Sequence, residues 1–375
     1  MRLPGSVLII VCSLNAGAPA WGQAFFAPVG IPSGASASYA WRMSDNGNAV
    51  ACVVPGTAGL YGYGYAHRWS MASGLVDMGF ANEVRPVALS DDGTTVVVNE
   101  YLSDAPLRWD EGSGPSSITQ LDQISGISGD GLTLLGSFNG VAARWSNAGG
   151  LGFFATPANP PTTTSGSLTS IYSAIATRSA AFSTVDGQRG VGVYELGVTL
   201  CSAGHCNGPF QSFGSFVWDA ANNTHAILAQ GTTTQAAPVR DASSDLSFVL
   251  CGGNTTTLQV FGSGFQLQTL TFNYSPFAKI AGNGSIVVAW NQVWTQSGGI
   301  VPLEQFLGGF GVSFPGWSTL VVMDTDYSGT RFCGFGTDPQ GRTQGWYATI
   351  PSPSASVLMG VFALRLLLRT RSTLS

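Results

Sequence analysis

Val87-Ala88-Leu89-Ser90-Asp91-Asp92-Gly93-Thr94-Thr95-Val96-Val97-Val98, leading on to Leu107-Arg108-Trp109, decides the fold of this chain. It reads as a β run, a tight turn closed by glycine, a second β run and a third that ends in Arg-Trp. Gly93 accepts the positive φ that such a hairpin turn demands, and Asp bonds its own backbone there. Val, Thr and Ile fill the flanking runs, as strands prefer. In this stretch the expected strands are 87–90, 94–98, 105–109 and 117–121, with Glu111-Gly112-Ser113-Gly114 as a later turn.

The phrase returns along the chain. Its copies centre on Ser44-Asp45-Asn46-Gly47, Asp91-Asp92-Gly93, Ser128-Gly129-Asp130-Gly131, Val185-Asp186-Gly187, Ser243-Ser244-Asp245-Leu246, Gly282-Asn283-Gly284 and Asp326-Tyr327-Ser328-Gly329. The fourth copy is looser, and the fifth lacks the glycine. The turns recur every 38 to 59 residues, against a propeller period of about 40–50 residues. No sustained helical periodicity interrupts residues 25–350. The expected fold is therefore an all-β propeller of seven four-stranded blades. The seventh copy stops after its third strand, while Ala24-Phe25-Phe26-Ala27-Pro28 stands alone at the start and resembles Phe153-Phe154-Ala155-Thr156-Pro157 of the third copy. The N-terminal strand is thus expected to complete the last blade and remove the open edges.

Composition agrees with alternating strands. Apolar residues make up 44% in short runs, charged residues only 9%, and glycine is frequent at 50. The net charge is -5 and Lys279 is the only lysine, which argues against a nucleic-acid partner. The tryptophans Trp69, Trp109, Trp145, Trp218, Trp294 and Trp346 recur in the third run. They read as interblade core rather than a carbohydrate platform, with Arg68, Arg108 and Arg144 on the opposite strand face.

The ends carry different signals. Arg2, the apolar stretch Ser6–Leu14, and the small-residue triplets Ala18-Pro19-Ala20 and Gly22-Gln23-Ala24 follow the order of an export signal, assigned to residues 1–24. Export permits disulfides. Cys201 and Cys206 bracket Ser-Ala-Gly-His in a spacing that fits a small bridged loop or half of a metal site with His205. Cys52, Cys251 and Cys333 fall at one strand position of different copies and read as small buried apolar groups. Two stretches, 158–169 and 196–215, interrupt the period and mark a protruding surface suited to a partner.

No catalytic, cofactor or metal set is assigned. His67, His205 and His225 lie in different copies, and neither Gly-x-Ser-x-Gly nor His-Glu-x-x-His occurs. Asp324-Thr325-Asp326-Tyr327-Ser328-Gly329 lacks the terminal acidic ligand of a calcium loop and reads as a hairpin.

The turn phrase with its following Arg-Trp resembles the HAF-type extracellular repeat of exported bacterial proteins over residues 38–350, with Cys333 to Trp346 similar to that family's last unit. The resemblance implies a propeller-like fold and no shared enzymatic activity. The tail 351–375, with Ile350-Pro351-Ser352-Pro353, an apolar run Val357–Leu364 and then Arg365, Arg369 and Arg371, resembles PEP-CTERM sorting tails. Ser352 stands in place of the usual Glu, and Arg365 breaks the run. That resemblance implies transient inner-membrane capture, an exosortase as partner, and release to the cell surface or matrix. The chain is thus expected to be an exported, non-enzymatic scaffold or adhesive module, with cell-surface polysaccharide or protein as its other partner. The alternative is a secreted propeller enzyme or lectin acting on polysaccharide. A central funnel lined by acidic side chains and exposed Trp would favour that alternative; one lined by Gly, Ser and Val would not.

Overall fold

The computed structural model describes residues 23–56, 62–154, 163–165, 168–184, 186–202, 205–219, 224–230, 239–252, 256–261, 267–273 and 277–351. The expected export signal, except Gln23 and Ala24, and the tail beyond Pro351 lie outside these residues.

Strand β1 (Phe25–Pro28) precedes a first sheet of β2 (Tyr39–Met43), β3 (Val50–Val54), β4 (Tyr65–Ser70) and β5 (Gly74–Asp77). The second holds β6 (Val84–Leu89), β7 (Thr95–Glu100), β8 (Pro106–Asp110) and β9 (Gly114–Ser117). The third holds β10 (Gln123–Ile127), β11 (Thr133–Phe138), β12 (Val141–Ser146) and β13 (Gly150–Phe153). A longer sheet follows, with β14 (Thr163–Ser165), β15 (Leu168–Ser183), β16 (Arg189–Ser202), β17 (His205–Asp219) and β18 (Thr224–Gln230). Then come β19 (Val239–Ala242), β20 (Val249–Cys251), β21 (Thr257–Phe261) and β22 (Leu267–Thr271), and next β23 (Lys279–Ile280), β24 (Ile286–Ala289), β25 (Gln292–Thr295) and β26 (Gly299–Pro302). Helix α1 (Leu303–Gly309) leads to β27 (Ser318–Thr325), β28 (Arg331–Thr337) and β29 (Thr343–Thr349).

The protein is an all-β propeller. Every sheet is an antiparallel meander, and six have four strands. The innermost strands are β2, β6, β10, β19, β23 and β27 and, in the five-stranded sheet, β15. These inner strands pack side by side in the order β2, β6, β10, β15, β19, β23, β27 and back to β2, which closes the ring. The expected uniform four-strand unit fails around the fourth copy, where the sheet has five strands. There β15 and β16 stay paired from Ser183–Gly190 out to Leu168–Ser202. The two stretches expected to interrupt the period prolong the meander where they are described: 163–165 and 168–169 lie in β14 and β15, and 196–202 and 205–215 in β16 and β17. Their Thr, Ser, Tyr and Val content suits extended pairing as well as a loop.

The N-terminal strand completes the last sheet, in the order β1-β29-β28-β27, with Phe25 opposite Thr349 and Pro28 opposite Trp346. A second feature shows that β1 is equivalent to a fourth strand. The outer strands β5, β9 and β13, and β1, are each followed by an apolar residue that turns into the core and donates its N–H back to the third-strand side. Met78 bonds Ala66 O (3.1 Å), Ile118 bonds Pro106 O (3.1 Å), Phe154 bonds Ala142 O (3.1 Å), and after β1 Val29 bonds Gly345 O (2.9 Å). These four side chains are buried. The same feature corrects two expected strands. In the second sheet the outer strand is Gly114–Ser117, not 117–121, because Ile118 and Leu121 drop between blades instead of continuing an exposed edge. In the third, β13 ends at Phe153, so β1 aligns with Gly150–Phe153 rather than with Phe153–Pro157. A further departure is α1, a short helix whose Leu303 and Leu307 are one turn apart and both buried.

Tryptophans fill the gaps between blades. Trp69 meets Tyr347 of the last blade at 4.9 Å, Trp218 meets Phe154 of the third sheet at 4.7 Å, and Trp346 is fully buried against residues of the sixth sheet. Cys52, Cys251 and Cys333 lie on the second strands β3, β20 and β28, all buried as free thiols. Burial pushes each thiol upward, Cys251 to about 12.

Deleting residues 24–30 removes Phe26 from its contacts with Trp317 and Trp346, and Val29 from the core. The expected loss is on the order of 4 kcal/mol, read as a clearly lower thermal midpoint. An unchanged melt would show that β1 does not close the ring.

Candidate functional site

The inner hairpins gather at one end of the ring axis, and five of them are held by the same local bonds. In the second blade Ser90 Oγ donates to Asp92 Oδ1 (2.7 Å) and accepts the Thr95 N–H (3.0 Å), while Asp92 Oδ1 also accepts the Thr94 N–H (2.9 Å). Ser44 with Asn46, Ser128 with Asp130, Thr184 with Asp186 and Ser243 with Asp245 repeat the arrangement. The last blade inverts it: Asp326 takes the first position and Ser328 the third. Asp326 Oδ1 accepts the N–H groups of Thr330 (2.9 Å) and Arg331 (3.0 Å). The suggested calcium loop is thus a hairpin whose carboxylate serves the backbone. Gly93 closes its turn at φ +71°, and a Cβ there would lie 2.3 Å from Ala49 Cβ of the preceding blade.

The turns are also bonded to each other. Tyr327 N–H donates to Asp45 O (2.8 Å), Asn46 to Asp91 O (3.0 Å), Asp91 to Gly129 O (2.7 Å), Ser244 to Gly282 O (2.9 Å) and Asn283 to Tyr327 O (2.9 Å). The arginines ahead of the tryptophans join this network. Arg68 Nε donates to Gly93 O (2.8 Å) and Arg108 Nη1 to Gly131 O (2.9 Å), each on the next blade's turn. Arg144 instead lies over the Trp218 ring at 4.7 Å. Arg and Trp therefore serve opposite neighbours from adjacent positions of one strand, as the alternation of side chains requires.

Register shifts insert one extra residue into each of β2, β6, β10 and β19 and, at two places, into β27, the second of these just before Asp324. Such a bulge re-aims the residue after it. Those residues are Arg42, Ala88, Gly126, Asp241 and Asp324, and with Lys279 of β23 they line a cavity of about 110 Å³ on the axis. Going round the ring the charges alternate as Asp241, Lys279, Asp324 and Arg42, and the small Ala88 and Gly126 leave the space opposite. Asp241 accepts from Lys279 Nζ (3.2 Å) and from the Ile280 N–H (2.7 Å) of the next blade. Asp324 accepts the Met43 N–H (3.1 Å) across the closing seam and the Thr325 N–H (3.0 Å). Arg42 Nε donates to Val87 O (3.0 Å) of the second blade.

Above this cavity, a wider mouth of about 550 Å³ is lined by Asp45, Asp91, Ser244, Asp326, Tyr327 and Arg331, among others. Ser244 Oγ donates to Asp45 Oδ2 from the fifth sheet to the first. Burial, only partly offset by that hydroxyl and reinforced by nearby Asp91, Asp324 and Asp326, pushes Asp45 up to about 6. Burial also raises Asp91, helped by Asp92 and Asp130. It raises Asp241 to about 6 despite Lys279.

The funnel meets neither sequence-based criterion cleanly. Asp45, Asp91, Asp241 and Asp324 line it, but so do Gly126, Gly129, Gly282, Ser243, Ser244 and Val87, and no Trp does. Cys201 and Cys206 are joined in a disulfide across the β16–β17 hairpin, where they are cross-strand partners, so the bridged loop is the correct alternative. His67 lies on β4, His205 on β17 and His225 on β18, on separate strands. Among the described residues no group of His, Cys, Asp or Glu could hold a metal ion. The sequence reading missed Arg42, Asp241, Lys279 and Asp324. Their only signal is a charged residue two places before the turn's first residue, visible once the copies are aligned.

Two substitutions test this network. Ser90→Ala leaves the buried Thr95 N–H without its acceptor and should cost about 1–2 kcal/mol in denaturant unfolding. Asp45 holds its proton more tightly folded than unfolded, so its carboxyl favours folding as pH falls through 6 and opposes folding above it. Asp45→Asn should therefore stabilise the protein by about 1 kcal/mol at pH 8, a fraction of the full linkage because the group stays partly exposed. The gain should vanish by about pH 4, where both side chains are neutral. Melting curves at the two pH values read the difference, and an equal effect at both would refute the burial of charge.

No family model matches the chain, and no curated protein matches it. Among solved structures it is similar to the β-propeller domain of Cps50 (Swd1) from Myceliophteria thermophila, at 12% identity over 84% of this chain and 97% of that one, with a TM-score of 0.45. It is similar to a chain of the mitotic checkpoint complex at 13% identity, over 92% and 98%, with a TM-score of 0.46. An oligogalacturonate lyase in complex with manganese matches at 8% identity, over 78% and 97%, with a TM-score of 0.34.

Proposed function

We propose that this chain is an exported, non-enzymatic propeller of the cell envelope or extracellular matrix, acting as a scaffold or adhesive binding module. One observation carries this reading. Four charged groups on the axis are committed to the ring itself: Asp241 to Lys279 and Ile280, Asp324 to Met43 and Thr325, and Arg42 to Val87. Groups that hold the inner strands together are not free to move protons or attack a substrate. A rigid ring of this kind presents loops and turn faces for binding.

The finer parts of the proposal follow from the same repeat. We count seven blades, taking the inner halves of β15, β16 and β17 with β18 as the fourth. In that portion Thr177–Ser183 pairs with Gly190–Tyr194, and Gly214–Asp219 pairs with Thr224–Gln230. The outer halves form an arm tipped by the Cys201–Cys206 bridge, which suits an oxidising compartment. The likeness to HAF-type repeats, an export signal within residues 1–24 and the exosortase-type sorting of the tail complete the proposal, with the cell surface or matrix as destination.

A specific feature favours the alternative of a polysaccharide-binding lectin or enzyme. Tyr327, 48% exposed, stands at the mouth with Asp45 and Asp91, a combination able to stack on a sugar ring and accept its hydroxyls. A glycan array combined with a polysaccharide turnover assay on exported protein tests both readings. Surface recovery with binding and no turnover is the expected result. Release of new reducing ends would establish the enzyme, and unprocessed protein confined to the cytoplasm would defeat the export reading.

A further inference from the structure

Two triplets ahead of the propeller, Ala18-Pro19-Ala20 and Gly22-Gln23-Ala24, carry the small residues an export peptidase needs before the bond it cuts. Composition does not separate them, but the folded chain uses the residues between them. The Gln23 carbonyl accepts a hydrogen bond from Thr349 Oγ1 (3.1 Å). Ala24 packs against the buried cluster that contains Trp346, Ala348 and Ile350. The first pair of the closing strand is Phe25 with Thr349. A cut at Ala24–Phe25 would remove both contacts. It would also put a new ammonium on Phe25, the residue that begins the closing strand beside that apolar cluster, where losing hydration is costly for a charge. A cut at Ala20–Trp21 keeps both contacts and leaves four residues between the ammonium and the strand.

Resting on the export reading, we propose that the Ala20–Trp21 peptide bond is the processing site, so that the mature chain begins at Trp21. The reaction is a hydrolysis by a membrane-bound signal peptidase. Water supplies a hydroxyl to the Ala20 carbonyl carbon, the carbon–nitrogen bond breaks, and the remaining proton goes to the Trp21 amine. No oxidant or further co-reactant is required. Gln23 and Ala24 then stay with the last blade, and the new ammonium falls four residues ahead of the closing strand in the sequence.

The test uses the full chain produced in an exporting host, with intact mass and N-terminal sequencing of the extracytoplasmic protein. Trp21 is expected at the N-terminus. Ala20→Gln should block cleavage, whereas Gly22→Gln, which disables only the second triplet, should leave it unchanged. A mature chain beginning at Phe25 would overturn the site and leave the export reading standing. Chains that keep Met1 and stay in the cytoplasm would overturn both. Refolded chains beginning at Trp21 and at Phe25 supply a second readout. The longer form should melt several degrees higher, and equal midpoints would remove the physical basis of the assignment.

Discussion

The side-chain-bonded turn at the inner end of the blades, Ser or Thr paired with Asp or Asn in five of them, is the constraint on which the rest depends. It fixes a hairpin locally, through a side chain that accepts the amides of its own loop. Because the main chain of the turn is thereby shaped and held, its remaining N–H and C=O groups are aimed at the turns on either side. A local motif becomes a circumferential one: Tyr327 to Asp45, Asn46 to Asp91, Asp91 to Gly129. The Arg side chains reaching Gly93 and Gly131 reinforce the same seam from the third strand. Hydrophobic burial between blades supplies most of the stabilisation, but it has no direction of its own. The polar turns set the register in which the blades meet.

This division explains what the axis holds. Bulges in the inner strands β2, β6, β10, β19 and β27 each turn a residue inward, and there the ring carries either a charged or a small side chain, with Lys279 of β23 added without a bulge. Asp241, Lys279, Asp324 and Arg42 cover the half where the last blades meet the first. Their bonds cross from blade to blade, and in the Asp241–Lys279 ion pair removing either member would take a buried charge's counter-ion away, which is costly. Ala88 and Gly126 make no such demand and leave the small cavity. Asp45, near the mouth, is the contrasting case, a carboxyl partly buried among other carboxyls with one hydroxyl for support. The axis is thus stiff below and electrostatically loaded above.

Much of the architecture is legible from residue order alone. The Ser-x-Asp-Gly turns, the strand content beside them and the Arg-Trp ending state a local conformation directly, because each residue acts on atoms within five positions of itself. The spare strand at Phe25 was legible for a different reason, as the piece missing from the last blade. The expected export signal, Gln23 and Ala24 apart, and the expected sorting tail beyond Pro351 are compositional patterns that lie outside the described residues. Legibility fell where local chemistry was outvoted. Leu246 sits at φ +56°, where the other copies place glycine, and its burial between blades offsets a strain of roughly 1–2 kcal/mol. Ile118 and Leu121 looked like strand residues and became plugs.

The sequence by itself determined the repeating hairpin, the all-β class and the closing role of the first strand, since period, turn chemistry and strand preference are short-range properties. Tertiary structure alone decided which charged residues share the axis. Asp324 meets Met43 at a separation of 281 positions, and no short-range pattern encodes a meeting that exists only when the two ends of the array come together. The same is true of the extended fourth sheet. Whether Thr- and Ser-rich segments run as loops or as prolonged strands depends on the partner strand that pairs with them, and that partner is supplied by the fold.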